Sequence, residues 1–218
     1  MSNWTSVLEL RPDLQETEGD VPNTAASIHD AMHGKGPYAD AAWYGDVTHP
    51  TPELVQLMVD TAVRIGVDNA YKPGVWHLDQ AMGGGKSHCL VGLWHLAAQP
   101  DAFRESGLGR LVWKAARDEV GMLLPDDLGQ PVAVVLDCDN PAFLPDRDGE
   151  AQNLAERFLW RMLADEPDRE LLFLKFRSRV ADKEGLRQII LSRKRPVLIL
   201  IDEILDFAKY FETQGDCI

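Results

Sequence analysis

The residues best suited to chemistry lie in Gln80-Ala81-Met82-Gly83-Gly84-Gly85-Lys86-Ser87. Three consecutive glycines open backbone conformations that other residues avoid. Successive N–H groups can then converge on one anion as a nest. A helix starting near Lys86 adds its unpaired N–H groups and the positive end of its dipole. In that setting Lys86 reaches the β- and γ-phosphates of a nucleotide, and Ser87 offers its hydroxyl to Mg²⁺. The phosphate-loop pattern is G-x-x-x-x-G-K-[ST], and its first glycine falls on Gln80 here. The chain thus carries a variant whose phosphate-facing end is intact. The plainer alternative is a glycine turn that caps a helix and leaves a surface lysine and serine.

A second group of residues answers the first. Val197-Leu198-Ile199-Leu200-Ile201 runs into Asp202-Glu203. An apolar strand that ends in Asp-Glu carries its acids to the C-terminal edge of a sheet, where ligands bind in open α/β folds. Asp202 there serves Mg²⁺, and Glu203 orients or deprotonates an attacking water. Binding needs only the first acid, whereas hydrolysis needs both. The alternative is a strand whose acids favour the N-terminus of the next helix. No Asn-Lys-x-Asp guanine signature is present, so ATP is the expected nucleotide.

Elements of the right kind surround both groups. Val75-Trp76-His77-Leu78 reads as a strand ahead of the glycines, and residues 86–98 as the helix behind them. Val132 to Leu136 and Val197 to Ile201 are continuous apolar runs, as expected of strands covered on both faces. Helices are expected at 110–124, 151–164, 168–193 and 204–211. Upstream, Thr24 to His33 reads as a short helix. Thr51-Pro52-Glu53 opens a longer one that Gly66 ends. Residues 34–50, with three glycines and two prolines, read as irregular chain around buried aromatics.

The predicted fold class is α/β, a three-layer parallel-sheet P-loop NTPase core. The strand at 132–136, between the glycine loop and the acidic strand, points to the additional-strand ATPase type. Residues 1–70 read as a helical N-terminal extension, and 71–218 as the nucleotide-binding domain, incomplete at its C-terminus.

Composition sets the outer limits. The 218 residues are 45% hydrophobic and 26% charged, which excludes wholesale disorder. No apolar run approaches the ~20 residues of a membrane span, and Met1 to Thr5 lacks the basic and apolar parts of a secretory signal. Three separated cysteines suggest no disulfide framework, so a cytoplasmic setting is expected. The net charge of −13 argues against nucleic-acid binding by the chain as a whole. Lys175 to Arg195 runs the other way, with eight basic residues against Asp182 and Glu184. That stretch could meet nucleic-acid phosphates, although a solvated helix face is the simpler reading.

The residues Met82-Gly83-Gly84-Gly85-Lys86-Ser87-His88 resemble the Gly-Gly-Gly-Lys-[Thr/Ser]-His loop of the domain of unknown function 499 family, large bacterial P-loop ATPases. The stretches Tyr44 to Leu54 and Leu90 to Ala97, and the Ile201-Asp202-Glu203 terminus, resemble the same family. The resemblance covers roughly residues 25–211. It extends the cofactor-binding set to Met82, Gly83, Gly84, Gly85, Lys86, Ser87 and His88. It also implies an AAA+-like ATPase, often encoded beside DNA methyltransferases in phage-defence clusters. A homo-oligomer or larger complex, and DNA-modification partner proteins, are further implications. Family members are longer, so the chain reads as the N-terminal part of such an ATPase.

The expectation is therefore Mg²⁺-dependent hydrolysis of the ATP β–γ bond, with Glu203 and Lys86 catalytic and Ser87 and Asp202 at the metal. The alternatives are a module that holds ATP without turnover, or a P-loop kinase. His88 and His95 share a helix face, where packing or hydrogen bonding is favoured over metal binding. Asp137 and Asp139 sit at the same sheet edge and are favoured as caps. Trp43 and Tyr44 could stack on adenine, with core packing slightly preferred.

Overall fold

The computed structural model describes residues 26–68, 70–79, 84–138 and 153–205. Nine α-helices and two strands occupy those residues. The first three helices are α1 (Ile28–Met32), α2 (Ala41–Val47) and α3 (Pro52–Gly66), and α4 (Lys86–Ala98) follows the glycines. Next come α5 (Pro100–Glu105), α6 (Gly107–Val120) and strand β1 (Val132–Asp137). The chain continues through α7 (Leu154–Met162), α8 (Arg169–Phe176) and α9 (Lys183–Ser192) to strand β2 (Val197–Asp202).

Most of these helices begin as local chemistry requires. Ser27, Asp40, Thr51, Ser106, Asn153 and Asp182 each accept a hydrogen bond from a backbone N–H of the first turn of their helix. Helix α4 differs: Gly85 stands at its N-cap in the left-handed region (φ 84°, ψ 17°) and no side chain caps it.

The strands β1 and β2 pair in parallel, with Val132 opposite Val197 and Asp137 opposite Asp202. Side chains of a strand alternate between faces, and two separate apolar clusters result. Ala133, Val135, Leu198 and Leu200 face α4, in a core that also takes residues from α1, α2, α3, α5 and α6. Val132, Val134 and Leu136 face the other way, against Phe158, Leu159 and Met162 of α7, with Phe173 and Ile189 behind them. Helices thus lie on both faces of a two-stranded parallel sheet. Helices α1–α3 share one core with α4.

Three expectations are corrected. Val75 to Leu78 forms no ladder, and Val75 is 85% exposed. An apolar run becomes a strand only where a partner strand lies alongside, and none does here among the described residues. Residues 41–47, expected to be irregular, form α2. A Cβ on Gly45 would lie 1.9 Å from Ser106 Oγ, so this glycine allows α2 to pack rather than breaking it. The single helix expected over 168–193 is two. The chain turns back between them, and a Cβ on Gly185 would meet Arg179 O at 2.2 Å. Of the helix expected at 204–211, Ile204 and Leu205 are helical, and the remainder lies outside the described residues. Among the described residues no helix is long and apolar enough to cross a membrane.

Candidate functional site

Two elements far apart in sequence meet at the site. Ser87, in the first turn of α4, donates from Oγ to Asp202 Oδ2 at 3.3 Å. Asp202 is the last residue of β2, and its carbonyl accepts from Cys138 N at 3.1 Å, which prolongs the ladder to the end of the strand. The parallel register fixes Asp137 beside Asp202. The Asp137 carboxylate also lies 3.9 Å from His29 Nδ1 of α1. Sheet, α4 and α1 therefore converge at the C-terminal ends of the strands, where ligands of open α/β folds sit.

Gly84 and Gly85 are exposed at this end of α4, while Lys86, Ser87 and His88 are half-buried. Met82 and Gly83, together with Gln80 and Ala81, lie outside the described residues, as does Asp139. Glu203 follows Asp202 with its side chain exposed and its backbone at φ 48°. That is a left-handed conformation uncommon for a non-glycine residue, and one that clusters at functional sites.

Hard oxygen donors suit Mg²⁺, which keeps most of its waters and takes only one or two protein ligands. Adjacent ligands of an octahedron with ~2.1 Å bonds are ~3 Å apart. The Ser87 hydroxyl and Asp202 carboxylate, 3.3 Å apart, are close to that spacing. No group of three or more His, Cys, Asp or Glu that could hold a metal by itself occurs among the described residues. His88 and His95 each lie within hydrogen-bond distance of a neighbour. His88 Nε2 is 2.9 Å from Thr48 Oγ1, and His95 Nε2 is 2.9 Å from Tyr38 O. Burial pulls both imidazoles below the usual histidine range, so both are neutral at pH 7. Burial likewise raises the Cys89 thiol.

Tyr44 is wholly buried. Its ring lies 4.7 Å from that of His88 and 5.4 Å from that of His95. It is core, and adenine stacking by Tyr44 is corrected. Trp43 packs edge-on against Tyr38. The sequence reading missed Thr48 as a partner of the loop histidine. The resemblance of both stretches to one family was the available signal, and it did not say that they touch.

Six of the eight basic residues of the stretch are exposed, and four of the eight pair with acids. Arg177 pairs with Glu156 at 3.2 Å, Arg187 with Glu184 at 3.4 Å, and Arg195 with Asp165 at 2.7 Å. Arg193, almost fully buried, pairs with Asp165 and Glu166. Two surface clefts lie elsewhere, one along α5 and α6 around Arg104 and Trp113, the other between α3 and α6 around Pro52 and Leu111. Neither includes Lys86 or Asp202.

No curated protein and no solved structure matches the chain. A family model does, the DUF499 N-terminal domain, over residues 5–215. That match takes in the glycine loop, both strands and the acidic pair, and the chain belongs to the DUF499 family.

Proposed function

We propose that the chain binds ATP with Mg²⁺ and hydrolyses its β–γ bond. The observation that carries this reading is the Ser87–Asp202 hydrogen bond, which joins the serine of the glycine loop to the acid of the apolar strand. A glycine turn that merely caps a helix has no need of an acid 115 residues away. The start of α4, which no side chain caps, supports the same reading, since the N–H groups of a helix start suit phosphate oxygens.

The roles divide as follows. Gly84 and Gly85 would offer backbone donors, and the resemblance assigns Met82, Gly83 and His88 to the same binding loop. Lys86 holds the terminal phosphates. Ser87 and Asp202 would hold Mg²⁺, which supplies charge neutralisation on the phosphate oxygens. Glu203, free to reach solvent, orients or deprotonates the water that attacks the γ-phosphorus. An AAA+-like core of additional-strand type fits this chemistry. The resemblance set out above makes remodelling within a DNA-related or phage-defence complex the work to which hydrolysis would be coupled. Oligomer formation and DNA-modification partners follow from the same resemblance. A second reading, in which ATP is held without turnover, draws on the exposure of Glu203.

Titration calorimetry with Mg-ATP tests binding. Wild type should bind, and Lys86→Ala should bind at least about tenfold more weakly, the loss of a charge-assisted hydrogen bond. Equal affinity in the two proteins sinks the proposal. Phosphate release that Glu203→Gln abolishes supports hydrolysis. Binding with no release from wild type supports the holding module.

A further inference from the structure

The glycine loop is fastened to the chain that precedes it. Thr48, at the end of α2, is buried and has one hydroxyl proton. Its Oγ1 lies 2.6 Å from Tyr44 O, close enough that the proton must sit between them. The same oxygen is 2.9 Å from His88 Nε2. With its proton committed, Thr48 can only accept there, so His88 carries its proton on Nε2. Tyr44 adds a second tie, its hydroxyl donating to His88 O at 2.9 Å. Side chain and backbone of His88 are thus both held by α2.

Space for this clasp is set aside on α4. A Cβ on Gly92, one turn beyond His88, would lie 2.4 Å from the Tyr44 hydroxyl oxygen and 3.0 Å from Cζ. Only glycine lets the ring lie against the helix here. Ser87, which bonds Asp202, immediately precedes His88. Moving the first turn of α4 by an ångström would separate Ser87 from Asp202.

We infer that His88 is a positioning residue for the phosphate-binding turn, held by Thr48 and Tyr44, and that α2 is in this way part of the nucleotide site. The inference rests on the nucleotide reading for its functional consequence, while the clasp itself can be measured without nucleotide.

Thr48→Val removes the acceptor at nearly constant volume, and Thr48→Ser keeps it. The Mg-ATP affinity of folded Thr48→Val should fall roughly three- to tenfold, with Thr48→Ser close to wild type. A role confined to stability would lower the melting temperature of Thr48→Val and leave the affinity of the folded protein unchanged, which overturns the inference. Nitrogen chemical shifts of the wild-type imidazole should report the Nε2–H tautomer, and the Nδ1–H tautomer overturns it as well.

Should wild type bind no Mg-ATP, the nucleotide reading fails and the clasp is still decided by Cys89. This half-buried thiol lies in the same turn, packed against the core. Its alkylation by iodoacetamide, followed by peptide mass mapping, should be several-fold faster in Thr48→Val and restored in Thr48→Ser. Equal rates in all three overturn the clasp.

Discussion

The two faces of the sheet are dressed differently. On the α4 face both strands are covered, and Leu198 and Leu200 of β2 are 7% and 4% exposed. On the α7 face the cover thins along β2, where Val197 still packs against the α7 cluster. Leu136 is 2% exposed, whereas Ile199 and Ile201 of β2 are 40% and 43% exposed. Every partner of the candidate site that is described comes from the closed side or from the strand ends: Ser87, His88, Thr48 and His29. The phosphate contacts proposed here need neighbours that do not yield, and the larger core supplies them.

The sharpest test of this contrast uses one strand. Leu200→Ala should cost about 2–5 kcal/mol in chemical denaturation, the range for a buried leucine that leaves a cavity. Ile201→Thr, next to it but on the open face, should stay within about 0.5 kcal/mol. Similar losses at the two positions would mean that the open face is covered in solution.

A smaller effect is expected at Gly92. An alanine there must displace both Met58 and Tyr44, at about 1–3 kcal/mol for overpacking. It should also weaken Mg-ATP binding, because the displaced ring is the one that holds His88. Lost stability with unchanged affinity would separate packing from positioning.

The smallest effect is acid loosening, and it too is one-sided. All six histidines precede residue 96. Burial holds His29, His88 and His95 below the ordinary value of 6.5. On unfolding each returns to that value and takes up a proton the folded chain refused. Their contribution is therefore complete above pH 6.5 and is lost as pH falls below it. Hydrogen exchange at pH 5.5 against pH 7 should show α1 and α4 loosening before α7. Loosening that starts in α7 would place the acid-sensitive groups elsewhere.

How much of this was legible in the sequence depends on how far each cause reaches. Thr51-Pro52-Glu53 marks the start of α3 because cap, first position and dipole act within one turn. The apolar runs at 132 and 197 mark strands by their β-branched, unbroken apolar character, but the two-sided cover expected of both holds for β1 alone: burial alternates along β2, and nothing in its sequence shows that. Gly45 was misread because its reason is a contact with Ser106, not the loss of helix propensity. Val75 to Leu78 was misread because a strand is a property of two segments. At the site, the glycines, Lys86, Ser87 and Asp202 were legible as residue types suited to one ligand. The Thr48–His88 bond was not, since threonine and histidine forty residues apart announce nothing.

Gly85 carries one more consequence. Its own chain neighbours aside, no described atom lies within 4 Å of the Cβ it lacks, so among the described residues there is room for a side chain. What excludes one is the sign of a torsion, +84°. The position selects for handedness and not for size: an L-alanine would be strained in an empty space, while a mirror-image residue would find its torsion already relaxed.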